Sequence, residues 1–245
     1  MHSIEYDTFY ISTLNQEQSQ RIQTSVLNAL EKKVLVWLAQ RQPRWMTSDM
    51  LTAIGVVGAI VVAVGYILSN LHIGWLWLAS LGYVINWYGD SLDGTLARVR
   101  GTQRPIYGFF LDHNIDGVTM AIMCTGAGLS RMLNLYVAMA VLAVYLMLSI
   151  SVYINAHLKG EFRLTYAGMG PTEFRLIMIV VNTLFATIAP LREWIVCFDV
   201  FGTPLALGAF DIVGLFILVV LIVIYLNNFR SDAISYAEVD PLRRI

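Results

Sequence analysis

The stretch from Gly89 to Asp116 reads GDSLDGTLARVRGTQRPIYGFFLDHNID and places four aspartates within otherwise apolar sequence. At 100° per residue, Asp90 and Asp93 share one face of a helix, and Asp112 and Asp116 share a face of the next one. The turn between the two helices makes them antiparallel. We therefore expect two acidic pairs to confront one another at the same end of these helices.

The composition around this stretch is that of a membrane protein. Of the 245 residues, 57% are hydrophobic and 13% are charged, with a mean hydropathy of +0.64, whereas a soluble domain carries about 25% charged residues. The two cysteines, Cys124 and Cys197, form neither a disulfide framework nor a paired metal-binding motif. The N-terminus lacks a basic segment followed by an apolar one, so no cleaved signal peptide is expected.

Six apolar stretches are long enough to cross the roughly 30 Å hydrocarbon core of a bilayer at 1.5 Å per residue. We therefore predict an all-α membrane protein with six transmembrane helices, which run approximately over residues 50–70, 73–98, 106–129, 133–157, 172–192 and 208–229.

Basic residues predict the orientation of these spans. Fourteen of the 16 Lys and Arg residues fall in connections that would share the side of the N-terminus, and only Arg131 and Arg192 fall on the other side. Cytoplasmic loops carry an excess of Lys and Arg. We therefore predict that both termini, and the ends of the spans that carry the aspartates, are cytoplasmic.

The segment before the first span predicts an interfacial helix. From about Gln16 to Gln40, apolar residues recur at helical spacing with polar ones between them, which is typical of an amphipathic helix lying in the membrane interface. A soluble helix packed on the loops is the alternative. We divide the chain into a cytoplasmic N-terminal segment, 1–46, and a transmembrane catalytic domain, 47–245.

Four carboxylates at membrane depth repel one another and are costly to desolvate unless cations offset them. Two divalent ions would balance the four charges, and Mg²⁺ and Mn²⁺ prefer oxygen ligands. Such ions can clamp a diphosphate and stabilise an in-line displacement. An ion or proton transporter is the rival interpretation, although transporters usually place acids at the midplane of repeated halves, and the chain shows no repeat.

The spacing resembles the signature of the CDP-alcohol phosphotransferase family. The matching residues are Asp90-x-x-Asp93-Gly94-x-x-Ala97-Arg98, nine further residues, and Gly108-x-x-x-Asp112-x-x-x-Asp116. The resemblance implies that Asp90, Asp93, Asp112 and Asp116 hold two Mg²⁺ or Mn²⁺ ions, with Asp112 bridging them. It implies that Asp116 is also the general base that deprotonates the acceptor hydroxyl. It implies a nucleotide-binding wall formed by Asp90, Gly94, Ala97, Arg98 and Gly108.

Thr52 and Asp49, at the start of the first span, also resemble nucleotide-contacting positions of the family. Thr52 matches, whereas Asp49 replaces an asparagine and loses its amide donor. An ordinary helix N-cap is the alternative role for Asp49. On the acceptor side, the resemblance points to residues that flank the loop between the fourth and fifth spans: His157, Lys159, Arg163, Glu173 and Arg175. The basic members of this set also fit a purely topological role in orienting the protein.

The resemblance implies a transferase of phospholipid biosynthesis that releases CMP. We predict that a phosphatidyl group passes from CDP-diacylglycerol to a small alcohol. The alternative is a choline- or ethanolamine-type phosphotransferase that acts on diacylglycerol, a branch of the family that the stretch from Tyr153 to Glu173 faintly resembles. At least one substrate would be a lipid. The resemblance further implies a homodimer, and we expect no nucleic-acid partner and a location in a bacterial inner membrane.

Overall fold

A computed structural model describes residues 28–159, 170–200 and 203–241. Within these ranges the chain forms eight α-helices and one β-hairpin. The helices are α1 (Asn28–Arg41), α2 (Ser48–Leu68), α3 (Leu76–Arg100), α4 (Pro105–Gly128), α5 (Leu135–Lys159), α6 (Pro171–Thr187), α7 (Ala189–Glu193) and α8 (Ala209–Val239). The hairpin pairs β1 (Ile195–Val200) with β2 (Thr203–Gly208), between α7 and α8.

Helices α2 and α3 form the closest contact of the fold. A Cβ atom added at Gly89 would lie 2.2 Å from the backbone nitrogen of Gly55, and one at Gly58 would lie 2.3 Å from that of Asn86. Small residues allow the backbones of membrane helices to approach in this way, and van der Waals packing then holds the pair together. The contact fixes the position of α3 immediately before its first aspartate.

The connection from α3 to α4 is short because both helix ends have strong local signals. Gly101 ends α3 in a left-handed conformation, with φ of 64°, which glycine adopts without steric cost. Pro105 begins α4 at a position where its missing N–H is no loss. The predicted antiparallel return therefore occurs within four residues.

Helices α3 and α4 hardly touch along their described lengths, because both pack against α2 instead. Helix α6 packs on the other side of α3, and α5 packs between α4 and α8. Helix α1 packs against α3 through the buried residues Leu35 and Ala39, which cluster with Leu92 and Leu96. The arrangement leaves a gap between the two aspartate-bearing helices.

Each predicted span overlaps one or two helices, and three helices of the described ranges are long and apolar enough to cross a membrane. These are Ser48–Leu68, the Leu135–Asn155 part of α5 and Ala209–Val239. They agree with a protein that is mostly helical and resides in a membrane. The crossing of the bilayer by α3, α4 and α6 stays a prediction. Polar residues interrupt the apolar sequence of α3 and α4. Helix α6 has only 17 residues.

The prediction of a single helix for the fifth span, 172–192, was wrong, because this range contains two helices. Helix α6 ends at Thr187, Ile188 is extended, and the short helix α7 follows with Pro190 in its first turn. Proline has no N–H to donate and its ring clashes with the preceding turn, so it stops a continuing helix. The hairpin between residues 195 and 208 was not predicted.

The first and last helices of the described ranges differ in length from the predicted ones. Helix α8 continues to Val239, ten residues past the predicted end of the sixth span. Of the predicted interfacial helix, residues 16–27 lie outside the described ranges. Its described part, α1, presents Leu30, Val34 and Trp37 outward, with exposed fractions of 66%, 39% and 52%.

Candidate active site

Three of the four aspartates come together where α3 and α4 approach. Carboxylate oxygens of Asp90, Asp112 and Asp116 all lie within 4.8 Å of one another, and each side chain is partly buried. Asp112 and Asp116 are separated by one turn of α4, so both face Asp90 across the gap between the helices. The confrontation of the two acidic helices predicted from their spacing is thus present in the fold.

Arg175, on α6, contacts this cluster with its guanidinium. Its Nη2 lies 2.5 Å from Asp90 Oδ2, and its Nε donates to Asn86 Oδ1 at 2.8 Å. Asn86 in turn donates to the carbonyl oxygen of Gly55 at 2.9 Å. The guanidinium is largely buried, and its Nη1 has no hydrogen-bond partner among the described residues. Arg175 is therefore held from two sides with one nitrogen unused.

Asp93 stands outside the cluster and faces α2. Its Oδ2 accepts a hydrogen bond from Thr52 Oγ1 at 2.6 Å, and its backbone carbonyl accepts one from Ser48 Oγ at 2.8 Å. Asp93 also accepts from the backbone nitrogen of Gly94. Thr52, which the sequence resemblance assigned to the nucleotide, is thus positioned here as a partner of Asp93.

The small residues of the signature border the gap. A Cβ added at Gly108 would meet no neighbouring atom within 4 Å among the described residues, and one at Gly94 would meet only Arg98 Nη1, at 3.5 Å. Arg98 is exposed and donates from Nη2 to Thr95 Oγ1 at 2.9 Å, and Ala97 is partly exposed. These glycines do not serve helix packing, so the space beside them is available to a ligand.

Asp49 makes a local contact that neither prediction included. Thr47 is the N-cap of α2, because its side chain accepts a hydrogen bond from the backbone nitrogen of Met50. The N-cap alternative for Asp49 was therefore wrong. Both of its carboxylate oxygens lie 2.6 Å from Arg104 Nη2, in an exposed ion pair at the start of α4.

The predicted acceptor-side residues are only partly described. Arg163 lies outside the described ranges, as do the side chains of His157 and Lys159. Glu173 accepts a hydrogen bond from the backbone nitrogen of Gly170 at 2.9 Å and so caps the start of α6. Arg175 reaches the aspartate cluster itself. The sequence could not reveal this, because 85 residues separate Arg175 from its partner Asp90.

The cluster has the chemistry of a divalent metal site. It offers carboxylate oxygens from three residues on two helices, within the reach of a single ion, and hard cations such as Mg²⁺ take such ligands. The guanidinium of Arg175 offsets part of this negative charge. The donor set therefore fits one or more divalent ions.

Comparison with known proteins agrees with this geometry. A family model described as CDP-alcohol phosphatidyltransferase matches residues 45–205, about two thirds of the chain. The chain belongs to the CDP-alcohol phosphatidyltransferase family. The matched range begins just before α2 and includes all four aspartates and Arg175, so the family domain contains the whole of the candidate site.

Two curated members of related function are similar over part of their length. A phosphatidylinositol phosphate synthase of Cutibacterium acnes is 36% identical over 84 residues, which are 34% of this chain and 38% of that protein. Human cholinephosphotransferase 1 is 29% identical over 106 residues, which are 41% of this chain and 26% of that protein. The chain thus spans less than two fifths of either relative's length.

Proposed function

We propose that the protein is a metal-dependent transferase of phospholipid biosynthesis that takes a phospho-alcohol group from a CDP-linked donor and releases CMP. The observation that carries this proposal is the approach of Asp90, Asp112 and Asp116 to within 4.8 Å across the gap between α3 and α4. Membership of the family supports the same reaction class.

Asp90, Asp112 and Asp116 would hold the divalent ions, with Asp93 contributing from the α2 side of the gap. Bound Mg²⁺ or Mn²⁺ would neutralise the charge of the donor diphosphate and stabilise the leaving phosphate oxygen. Asp93 can take this role while it keeps its hydrogen bond from Thr52, because an ionised carboxylate has about four acceptor sites on its two oxygens. We propose two ions per site, since the four carboxylates supply the charge to balance them.

Asp116 is the proposed general base. It lies on α4 one turn beyond Asp112, deeper in the bundle, where the acceptor hydroxyl would meet the donor phosphate. A base must lie within hydrogen-bond reach of the hydroxyl that it deprotonates. Asp116 would take that proton as the alcohol oxygen forms its bond to phosphorus and the bond from phosphorus to the CMP oxygen breaks.

The donor nucleotide would lie against the open face formed by Gly94, Ala97, Arg98 and Gly108. The open space beside Gly108, and beside Gly94 apart from Arg98, among the described residues supports this location, since side chains there would occupy it. The exposed guanidinium of Arg98 is suited to a phosphate oxygen, to which it can donate two parallel hydrogen bonds. Asp49 and Thr52 would line the same end of the gap from α2.

For the lipid we propose a CDP-diacylglycerol donor and a small water-soluble acceptor, as the name of the synthase relative suggests. The alternative is a CDP-amino-alcohol donor with diacylglycerol as the acceptor. The name of the human relative favours that alternative, as does the faint resemblance of residues 153–173 to the choline/ethanolamine branch of the family. His157, Lys159, Arg163, Glu173 and Arg175 are the proposed acceptor-side residues in either case.

The proposed setting is a membrane that six helices cross, with α1 in the interface and the site open to the cytoplasm. The outward apolar residues of α1 support that placement, because an amphipathic helix buries its apolar face at the headgroup boundary. The termini would both be cytoplasmic, and the membrane a bacterial inner membrane. A homodimer is proposed on family resemblance alone.

CMP release by the purified protein tests the proposal. The assay would offer CDP-diacylglycerol or CDP-choline with Mg²⁺ or Mn²⁺ against a panel of alcohols and diacylglycerol. Asp116→Asn should lower acceptor-dependent CMP release by about a thousandfold, since positioned general bases contribute roughly 10²–10⁴-fold. Asp199→Asn, which changes an exposed aspartate on the hairpin, is the matched control and should keep full activity.

The identity of the consumed donor decides which reactant carries the lipid. A chelator should abolish turnover, and Mg²⁺ or Mn²⁺ should restore it. If no CDP compound is consumed or bound under any metal condition, the transferase is refuted and the aspartates must be reconsidered as an ion pathway.

A further inference from the structure

Glu31, on α1, contacts two other helices through one carboxylate oxygen. Its Oε1 accepts a hydrogen bond from Trp87 Nε1 on α3 at 2.9 Å and another from Thr172 Oγ1 on α6 at 2.6 Å. All three side chains are partly buried. Glu31 therefore ties the N-terminal helix to both of the helices that supply the Asp90–Arg175 pair.

Both partners of Glu31 lie one turn from that pair. Trp87 precedes Asp90 by three residues, and Thr172 precedes Arg175 by three. Residues three apart in a helix are neighbours on the same face. The link through Glu31 thus lies beside the direct contact between Arg175 and Asp90, and it joins the same two helices.

The start of α6 depends on such side-chain contacts. The first four backbone N–H groups of a helix have no partner within the helix, and Pro171 occupies the first position here. Two side-chain contacts hold this first turn: Glu173 accepts a hydrogen bond from the backbone nitrogen of Gly170, and Thr172 donates one to Glu31. Arg175 lies in the next turn. Any movement of the first turn therefore also displaces Arg175.

We infer that Glu31 is a positioning residue, which holds the first turn of α6 on α3 so that the guanidinium of Arg175 stays on Asp90. Its carboxylate touches none of the aspartates and acts through Thr172 and Arg175. The catalytic consequence of this inference rests on the proposed function, whereas the structural consequence does not.

Hydrogen exchange followed by mass spectrometry tests the structural consequence directly. Glu31→Ala removes the acceptor, and peptides covering residues 171–178 should exchange about tenfold faster, because their local opening becomes easier. Glu31→Gln keeps an oxygen at the same place and should restore slow exchange. Lys33→Ala, at an exposed position of the same helix, should leave exchange unchanged. Unchanged exchange in Glu31→Ala overturns the inference, whatever the activity of the enzyme.

A double-mutant cycle tests the catalytic consequence. Glu31→Ala should lower kcat for CMP release by about tenfold in the parent protein, and by less than about threefold when Arg175→Lys is already present, because residues acting through one another do not add. Arg175→Lys keeps a cation and hence some turnover. Losses that simply multiply would show that Glu31 acts elsewhere and would overturn the inference. A parent that releases no CMP refutes the proposed function, and the exchange data still decide the role of Glu31.

Discussion

Helix α3 carries glycines on two sides, and the surroundings of the two sets differ completely. On the α2 side, a Cβ at Gly89 would lie 2.2 Å from Gly55 N, and one at Gly82 would lie 2.5 Å from Val62 N. On the α4 side, a Cβ at Gly94 would meet only Arg98, and Gly108 of α4 has no neighbour within 4 Å among the described residues. The space beside the first set is occupied by the backbone of α2, whereas the space beside the second set is open.

This difference separates two reasons for glycine that look identical in a sequence. Gly89 permits contact between backbones, whereas Gly94 and Gly108 leave room for something that is not part of the protein. Substitutions on the two sides should therefore affect different properties. Packing glycines should control folding, and gap-lining glycines should control ligand binding.

Gly89→Ala is expected to have the largest effect. The new methyl group would overlap the backbone of Gly55, so α2 and α3 would have to separate. Overpacking typically costs 1–3 kcal/mol and sometimes more, and we expect a loss of about 3 kcal/mol or greater because the obstacle is backbone. Thermal unfolding in detergent measures this loss. A Gly89→Ala protein as stable as the parent would contradict the packing role.

Arg175→Met is expected to have the next largest effect, because it leaves Asp90 and Asn86 without their buried partner. When one member of such a pair is removed, the other stays buried without a partner for its charge or hydrogen bonds. We therefore expect the free energy of unfolding to fall by about 2 kcal/mol. Mg²⁺ should recover part of the lost stability by binding the unpaired carboxylate.

The measurement for Arg175→Met is the unfolding midpoint with and without Mg²⁺, with the exposed Arg131→Met as the matched control. Arg131→Met should unfold like the parent under both conditions. If Mg²⁺ raises the midpoint of Arg175→Met no more than that of the control, Arg175 does not share its site with a metal.

Gly108→Ala should leave the fold intact and weaken donor binding. Its methyl group would enter the gap without touching protein, so the unfolding midpoint should stay at the parent value. We expect KM for the CDP donor to rise by about tenfold, equivalent to about 1.4 kcal/mol. Steady-state kinetics measures this change. An unchanged KM would show that the nucleotide does not bind beside Gly108.

Asp49→Asn should have the smallest effect. The ion pair with Arg104 is exposed on both sides, and exposed pairs contribute little to stability. We therefore expect no measurable shift in the unfolding midpoint. The asparagine also restores the amide donor of the family pattern, so KM for the donor should stay equal or fall. A rise in KM would show that the ion pair itself orders the entrance to the gap.

The sequence was sufficient to predict those features that depend on local patterns. Apolar stretches located the long helices, and the i, i+4 spacing of Asp112 and Asp116 correctly brought them to one face. The antiparallel turn between α3 and α4 was predicted near residues 100–105, where Gly101 and Pro105 have backbone preferences that act over one or two residues. Such signals need no knowledge of the rest of the fold.

Features that depend on distant contacts were missed. Nothing in the spacing of α3 and α6 indicates that Arg175 meets Asp90, because that contact depends on how the bundle assembles. Asp93 was expected beside the other three acids, and its bond to Thr52 reflects the packing of α2.

One local signal was present in the sequence but not used. Pro190 marked the end of α6, because proline stops a helix.

The tightest backbone contact and the first carboxylate of the cluster are consecutive residues, Gly89 and Asp90. In a helix they are 1.5 Å apart along the axis and 100° apart around it. Any sliding or rotation of α3 against α2 is therefore transmitted to Asp90 almost without loss. The position of that carboxylate is therefore fixed by how closely two glycine backbones pack. A contact without any functional group determines where the carboxylate lies.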